Sequence, residues 1–154
     1  MNIRKSVAED IPQIEELLFQ VHKIHTDSRP DIFKAGEKKY TSEELELLLK
    51  YDERPIFVAV EDNTILGYAF CVIQHNGNKS MHNIKTLYID DLCISEKARG
   101  HKIGTQLYEY VLDFAKKCGC YNVTLNVWEC NKSAKAFYDK CGLQVQKYYM
   151  EKIL

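Results

Sequence analysis

Leu87-Tyr88-Ile89-Asp90-Asp91-Leu92-Cys93-Ile94 and, a short turn later, Arg99-Gly100-His101-Lys102-Ile103-Gly104-Thr105 decide how this chain is read. The first segment is an apolar run suited to a buried strand. After the second, Ile103, Leu107, Val111, Phe114 and Cys118 recur at spacings of three and four, the period of one helix face. A polar turn over residues 95–98 joins the two. The chain therefore passes from a strand into a helix whose start contains glycine.

The charge of that turn is unusual. A helix N-terminus exposes unsatisfied N–H groups and about half a positive charge, so acidic or hydroxyl side chains suit it. Here Lys97, Arg99, His101 and Lys102 crowd the position, with only Glu96 opposing them. Cations at the positive end of a helix are unfavourable unless an anion sits among them. Gly100 and Gly104 let backbone approach such a ligand closely. The combination points to a phosphate-binding helix start. The plainer reading is a solvated turn whose lysines face water.

A chain of 154 residues with 45% hydrophobic composition is long enough for one domain with its own core, and we expect that domain to span residues 1–154. The formal net charge of -1 gives no bulk attraction to nucleic acid or to an anionic membrane. No apolar run is long enough to cross a bilayer, and residues 1–5 lack a signal-peptide core, so a cytoplasmic location is expected. Six cysteines (Cys71, Cys93, Cys118, Cys120, Cys130, Cys141) read as free thiols in a reducing compartment. Cys118-Gly119-Cys120 has neither zinc nor redox spacing, and no metal is assigned.

Residues 3–7 suit a first strand. Asp10, with Pro12 and Gln13 behind it, reads as a capped helix start, and Ile11, Ile14, Leu17, Leu18, Val21 and His25 form one stripe that ends before Ser28. Thr41 with Glu44 is a second capping box, opening a helix that buries Leu45, Leu48 and Leu49. Residues 56–60 and 65–73 read as strands around an Asp62-Asn63 turn. Residues 74–83 read as an exposed loop and 84–94 as a long strand. After a helix stop at Gly119, residues 122–128 read as a strand that a crossover makes parallel to its predecessor. Asn131 or Ser133 starts another helix, stopped at Gly142. Residues 145–154 suit a last strand or two. One mixed α/β domain results.

Leu92-Cys93-Ile94, the Arg99–Gly104 turn, and Asn131, Ala134, Phe137, Tyr138, Cys141 and Gly142 in order resemble the GNAT superfamily of acyl-CoA-dependent N-acyltransferases. The resemblance covers essentially the whole chain and is strongest over residues 88–143. The superfamily's phosphate loop runs Gln or Arg, two variable residues, Gly, one variable residue, then Gly or Ala. Arg99 and Gly104 match it, but Lys102 stands where the first glycine is usual. The resemblance implies a mostly antiparallel central sheet with a splayed parallel strand pair, flanked by about four helices. It further implies acetyl-CoA as cosubstrate, a small-molecule amine or peptide as acceptor, no nucleic-acid or membrane partner, and a homodimer as an admissible assembly.

Residue by residue, the resemblance implies that Leu92, Cys93 and Ile94 offer backbone groups to pantetheine. Backbone N–H groups of Arg99, Gly100, His101, Lys102, Ile103, Gly104 and Thr105 would hold the pyrophosphate. Asn131 would bond the pantetheine arm, alongside the plainer role of helix N-cap. Tyr138 falls where the family places a phenol that protonates the leaving thiolate, against the alternative of a core tyrosine. Backbone N–H near Cys93 would serve the oxyanion.

A general base is chosen from Asp91, Asp90, Glu129, His22 and His25, with Asp91 preferred. Strand alternation sends Asp90 and Asp91 to opposite faces, and a structural ion pair is the rival role for either. Arg29 would suit a substrate carboxylate; an acidic cleft would suit a polyamine. A non-catalytic acyl-CoA sensor on the same fold is the competing functional class.

Overall fold

The five strands β1 (Asn2–Lys5), β2 (Ile56–Glu61), β3 (Thr64–Asn78), β4 (Met81–Ile94) and β5 (Asn122–Leu125) lie in that order in one sheet. The computed structural model describes residues 1–154. Every neighbouring pair is antiparallel except β4–β5. Parallel neighbours need a crossover, and α3 (Ile103–Lys117) supplies it. The other helices are α1 (Ile11–Ser28), α2 (Ser42–Leu48) and α4 (Lys132–Lys140).

The sheet is covered on both faces. On one, Ile14, Leu17 and Leu18 of α1 and Leu45 and Leu48 of α2 pack with Val58, Tyr68, Phe70 and Cys93. On the other, Leu107, Tyr108, Val111 and Ala115 of α3 pack with Phe57, Ala69, Cys71, Leu87 and Ile89. Fully burying one such aliphatic or aromatic side chain contributes about 1.5–3 kcal/mol. The alternation in β2 and β3, with the helical stripes above, is therefore what holds β4 between two layers.

Local signals explain the element ends. Thr41 accepts from the Glu44 N–H at 3.2 Å while Glu44 accepts from the Thr41 N–H at 2.8 Å, so the reciprocal box at α2 forms as expected. Asp62 and Asn63 both have positive φ, 48° and 60°, which closes the β2–β3 hairpin. Gly119 and Gly142 stop α3 and α4 with φ of 71° and 81°. All six cysteines are free thiols.

Other expectations require correction. Asp10 does not cap α1: its buried carboxylate accepts two bonds from Arg4, at 2.6 and 2.9 Å, and one from the Val7 N–H at 2.9 Å. Gln13 turns away to the Ile65 N–H and the Asn63 carbonyl. A bidentate guanidinium is the stronger partner for a buried carboxylate than helix N–H groups. α1 also runs through Ser28 rather than stopping before it.

Residues 74–83 are not a loop. The β3–β4 ladder continues through them to a tight turn at Lys79-Ser80, where Asn78 Oδ1 accepts from the Ser80 N–H and hydroxyl at 2.8 Å each. β5 ends at Leu125 instead of reaching Trp128. Residues 145–154 form no strand and make no backbone hydrogen bond.

Candidate active site

β4 and β5 are paired only from Thr86–Asn122 to Ile89–Leu125. Beyond that point β4 continues to Ile94 while the chain after β5 departs towards α4. Residues 90–94 therefore have one open side; Leu92 and Ile94 turn their backbone groups to it, whereas Cys93, contrary to expectation, pairs with Tyr68 of β3, as the alternation from the Ser95 N–H to Leu66 carbonyl bond requires.

Where the strands part, β4 carries a bulge. Phe70 pairs with Asp91 and Cys71 with Ile89, leaving Asp90 without a partner. One extra residue reverses the in–out alternation beyond it. Leu87 and Ile89 face α3, whereas Asp91 and Cys93 face α1 and α2. The aspartates are thus not sent to opposite faces, as plain alternation required. Both carboxylates reach the α1–α2 side. Asp90 is held by the Tyr40 hydroxyl at 2.5 Å and by Lys39 Nζ at 2.9 Å. Asp91 accepts from the Tyr68 hydroxyl at 2.9 Å.

The two acids differ in character. Asp90 has a cation and a phenol on it, the arrangement of a structural partner. Asp91 retains some solvent contact as a residue, yet desolvation dominates its carboxyl and raises it from 3.8 to about 6, with Lys39 and Tyr68 pulling the other way. Burial also pushes the Tyr138 phenol up, and Asp91 is the charge that acts on it most strongly. Tyr138 therefore holds its proton more tightly than an ordinary tyrosine.

The basic turn has the conformation that its glycine pattern calls for. Lys102 sits at φ 60°, ψ 12°, the left-handed region where glycine is at home, and its side chain caps nothing. The first α3 bond runs from the Gln106 N–H to the Lys102 carbonyl at 3.0 Å, so N–H groups of Gly100, His101, Lys102, Ile103, Gly104 and Thr105 have no backbone acceptor. Lys97, Arg99, His101 and Lys102 stand exposed around them. A run of free donors within basic side chains fits a multiply charged phosphate group. Gly104 also lets α4 approach: a Cβ there would lie 3.3 Å from Phe137 Cε2. Asn131 caps α4, its Oδ1 accepting from the Ala134 N–H at 3.2 Å and from Ser133 Oγ at 3.1 Å, with its NH₂ group left to donate elsewhere.

The sequence model of the acetyltransferase (GNAT) family matches residues 18–143, the region that contains every one of these groups. The chain belongs to that family. Its fold is that of the family. A solved protein of Bacillus halodurans, crystallised as a point mutant, superposes with a TM-score of 0.96 at 30% identity, covering 100% of this chain and 99% of that one. Glucosamine 6-phosphate N-acetyltransferase of Arabidopsis thaliana is 34% identical over 68 residues, 44% of each chain. An aminoglycoside N-acetyltransferase solved with CoA shares the fold at 15% identity, with a TM-score of 0.73 over 99% of this chain and 98% of that one. The chain spans about half the length of the curated relatives that it matches, 44% and 60% for two of them.

Within this GNAT domain the other base candidates are differently placed. Glu129 is exposed, bonded to Lys132 and Lys135, and held down at about 2. His22 bonds the Lys34 carbonyl at 2.6 Å through Nε2. Half-buried His25 stacks on Phe33 at 5.0 Å with Trp128 tilted 6.4 Å away, and burial lowers its pKa. The Arg29 guanidinium is filled by Asp31 and Glu151, at 2.5–3.2 Å.

Four residues escaped the reading from sequence. Tyr68, Tyr40 and Lys39 are the partners of the two aspartates. Gln20 of α1 donates to the Ile94 carbonyl at 3.0 Å and accepts from the Glu96 N–H at 3.0 Å, fastening the open end of β4 and already occupying one lone pair of that carbonyl. Its only sequence signal is a polar residue beside the Leu17–Val21 stripe.

Proposed function

We propose that this chain moves an acetyl group from acetyl-CoA to a primary amine of a small molecule or a peptide, by direct transfer within a ternary complex. The observation that carries the reading is the bulge at Asp90, which sets the Asp91 carboxyl, held by the Tyr68 hydroxyl at 2.9 Å, where β4 parts from β5; burial there raises that carboxyl to about 6. Such a base is ionised at neutral pH and can take the proton that the amine nitrogen sheds as its bond to the acetyl carbon forms.

The acetyl thioester supplies an electrophilic carbonyl and a thiolate leaving group. Free N–H groups from Gly100 to Thr105 bind the pyrophosphate, and exposed Lys102 and Arg99 add charge. Open backbone of Leu92 and Ile94 extends the sheet with the pantetheine arm, to which the free Asn131 NH₂ group donates. Asp91 accepts the amine proton, directly or through one water, as the N–C bond forms. Backbone N–H near Cys93 takes up the charge on the carbonyl oxygen. Tyr138 donates its proton to sulfur as the C–S bond breaks.

The test is amine-dependent thiol release from acetyl-CoA against amino acids, polyamines, amino sugars, aminoglycosides and peptides, with the acetylated product identified by mass. At least one amine should be consumed with one thiol released per acetyl group transferred. Tight acetyl-CoA binding with no amine acetylated across the panel would instead favour a sensor on the same fold.

A further inference from the structure

His25, Phe33 and Trp128 come from separate stretches of the chain: α1, the segment between α1 and α2, and the segment after β5. Their rings nevertheless meet. Phe33 stacks on His25 at 5.0 Å and meets Trp128 edge-on at 5.2 Å, with His25 and Trp128 6.4 Å apart. They belong to none of the hydrophobic clusters of the core, and Trp128 remains 40% accessible. Such a group adds little to the core and keeps ring surface for a ligand.

Two hydrogen bonds and one shared lysine set the rings beside the separated strand ends. Asn126 Nδ2 donates to the Tyr88 hydroxyl at 3.1 Å. Leu87 and Ile89 on either side of Tyr88 face α3, so Tyr88 points to the α1 side. The Trp128 carbonyl accepts from the Asn131 N–H at 2.9 Å, which ties the indole to the residue whose NH₂ group is free. Lys39 Nζ, 2.9 Å from Asp90, is near enough for its charge to act on both His25 and Asp91. The charges around the rings are already committed. Asp31 and Glu151 fill the Arg29 guanidinium, Asp90 holds Lys39, and Lys132 and Lys135 hold Glu129. A phosphate or carboxylate on the acceptor finds no free guanidinium there, and a second ammonium finds no free carboxylate. Burial and the nearby His22 and Lys39 also favour the uncharged His25 ring. Neutral ring surface is what remains.

We infer that Trp128, Phe33 and His25 form the specificity wall for the acceptor, a primary amine that carries an aromatic ring a short chain from its nitrogen. The inference rests on the acetyl-transfer reading above. The acceptor ring packs on the open face of Trp128 while its nitrogen reaches Asp91.

Trp128 is the single tryptophan of the chain, so its fluorescence reports ring contact without turnover. Phenethylamine titrated into the CoA complex should change that emission saturably, and butylamine, putrescine and phosphoethanolamine should not. In thiol release from acetyl-CoA, phenethylamine should exceed butylamine in kcat/KM by about 10–100-fold, the scale of one buried phenyl group. Trp128→Leu should raise KM for phenethylamine about tenfold with kcat and acetyl-CoA affinity unchanged, and Trp128→Phe should recover most of that loss. An emission that ignores phenethylamine overturns the inference. So does acetylation of butylamine or putrescine as efficient as that of phenethylamine, an outcome that leaves acetyl transfer itself intact. A saturable emission change with no thiol released from any amine counts against the transfer reading alone and leaves the ring site standing.

Discussion

The Tyr68 hydroxyl donates to Asp91 Oδ2 at 2.9 Å, from the neighbouring strand and from the face of the sheet that plain alternation along β4 would not share with Ile89. That bond exists because the bulge at Asp90 turns the strand over. It places a desolvated carboxylate where β4 parts from β5, and it fixes the orientation of that carboxylate. The proposed chemistry has its origin in that placement.

Stability should carry the mark of Asp91. Its native value of about 6 lies above the ordinary 3.8, so the native state binds more protons than the unfolded chain in between. Stability from this group is full below about pH 4 and is lost as pH rises through about 6, by an amount on the order of 1–3 kcal/mol. Asp91→Asn keeps an acceptor for Tyr68 without the charge. Urea melts should find the variant at least as stable as wild type at pH 7.5, with that relative advantage gone at pH 4. An advantage that grows on acidification would contradict the assignment.

Lys102 separates charge from backbone conformation. A non-glycine residue in the left-handed region costs about 1–2 kcal/mol, part of which glycine's extra unfolded-state freedom offsets. Lys102→Gly should therefore melt within about 1 kcal/mol of wild type, on the stable side. Lys102→Glu should weaken acetyl-CoA binding more than Lys102→Gly does, most clearly at low salt. Equal affinities for the two variants in titration calorimetry would remove the lysine charge from the phosphate site.

Gly67 lies under the strand end that the cosubstrate would meet. A Cβ there would stand 2.7 Å from the Cys93 carbonyl oxygen and run into Ile94 Cδ1. Gly67→Ala must displace backbone and should cost about 1–3 kcal/mol in denaturant unfolding. Acetyl-CoA affinity should fall with it, since Cys93 and Ile94 move. Undiminished affinity in a destabilised variant would show that this edge does not hold the pantetheine arm.

Tyr40 ties the segment between α1 and α2 to Asp90. Tyr40→Phe removes a hydrogen bond to a charged group, worth about 1.5–3 kcal/mol, while leaving the ring stacked on Phe70 at 5.3 Å. Steady-state kinetics should show a several-fold higher KM for the amine and an unchanged Kd for acetyl-CoA. A change confined to acetyl-CoA would place this segment on the wrong side of the reaction.

What was legible in sequence was local. Thr41 with Glu44, the Asp62-Asn63 turn, and the stops at Gly119 and Gly142 each rest on a few neighbouring residues whose chemistry allows one conformation. The strand–turn–helix through Ile94 and Arg99 was legible for the same reason, and with it the family. The bulge was not: an extra residue leaves no trace in the spacing of Leu87, Ile89 and Cys93, and only the doubled aspartate hints at it. Tyr68, Tyr40 and Gln20 acquire meaning through partners 23, 50 and 74 residues away. The Asp10 cap failed because Arg4, on another element, competes for the same carboxylate. Residues 145–154 alternate well enough for a strand, but alternation cannot supply the neighbour that a strand needs.

The central claim is that Asp91 and Tyr138 move protons during acetyl transfer to an amine. The direct measurement pairs acetyl-CoA affinity with amine-dependent thiol release for wild type, Asp91→Asn and Tyr138→Phe across pH. Affinity should be unchanged in both variants, and turnover should fall by about 10²–10⁴-fold. The wild-type rise in kcat/KM near pH 6 should disappear in Asp91→Asn. Variants that turn over at the wild-type rate with the wild-type pH profile would contradict the account.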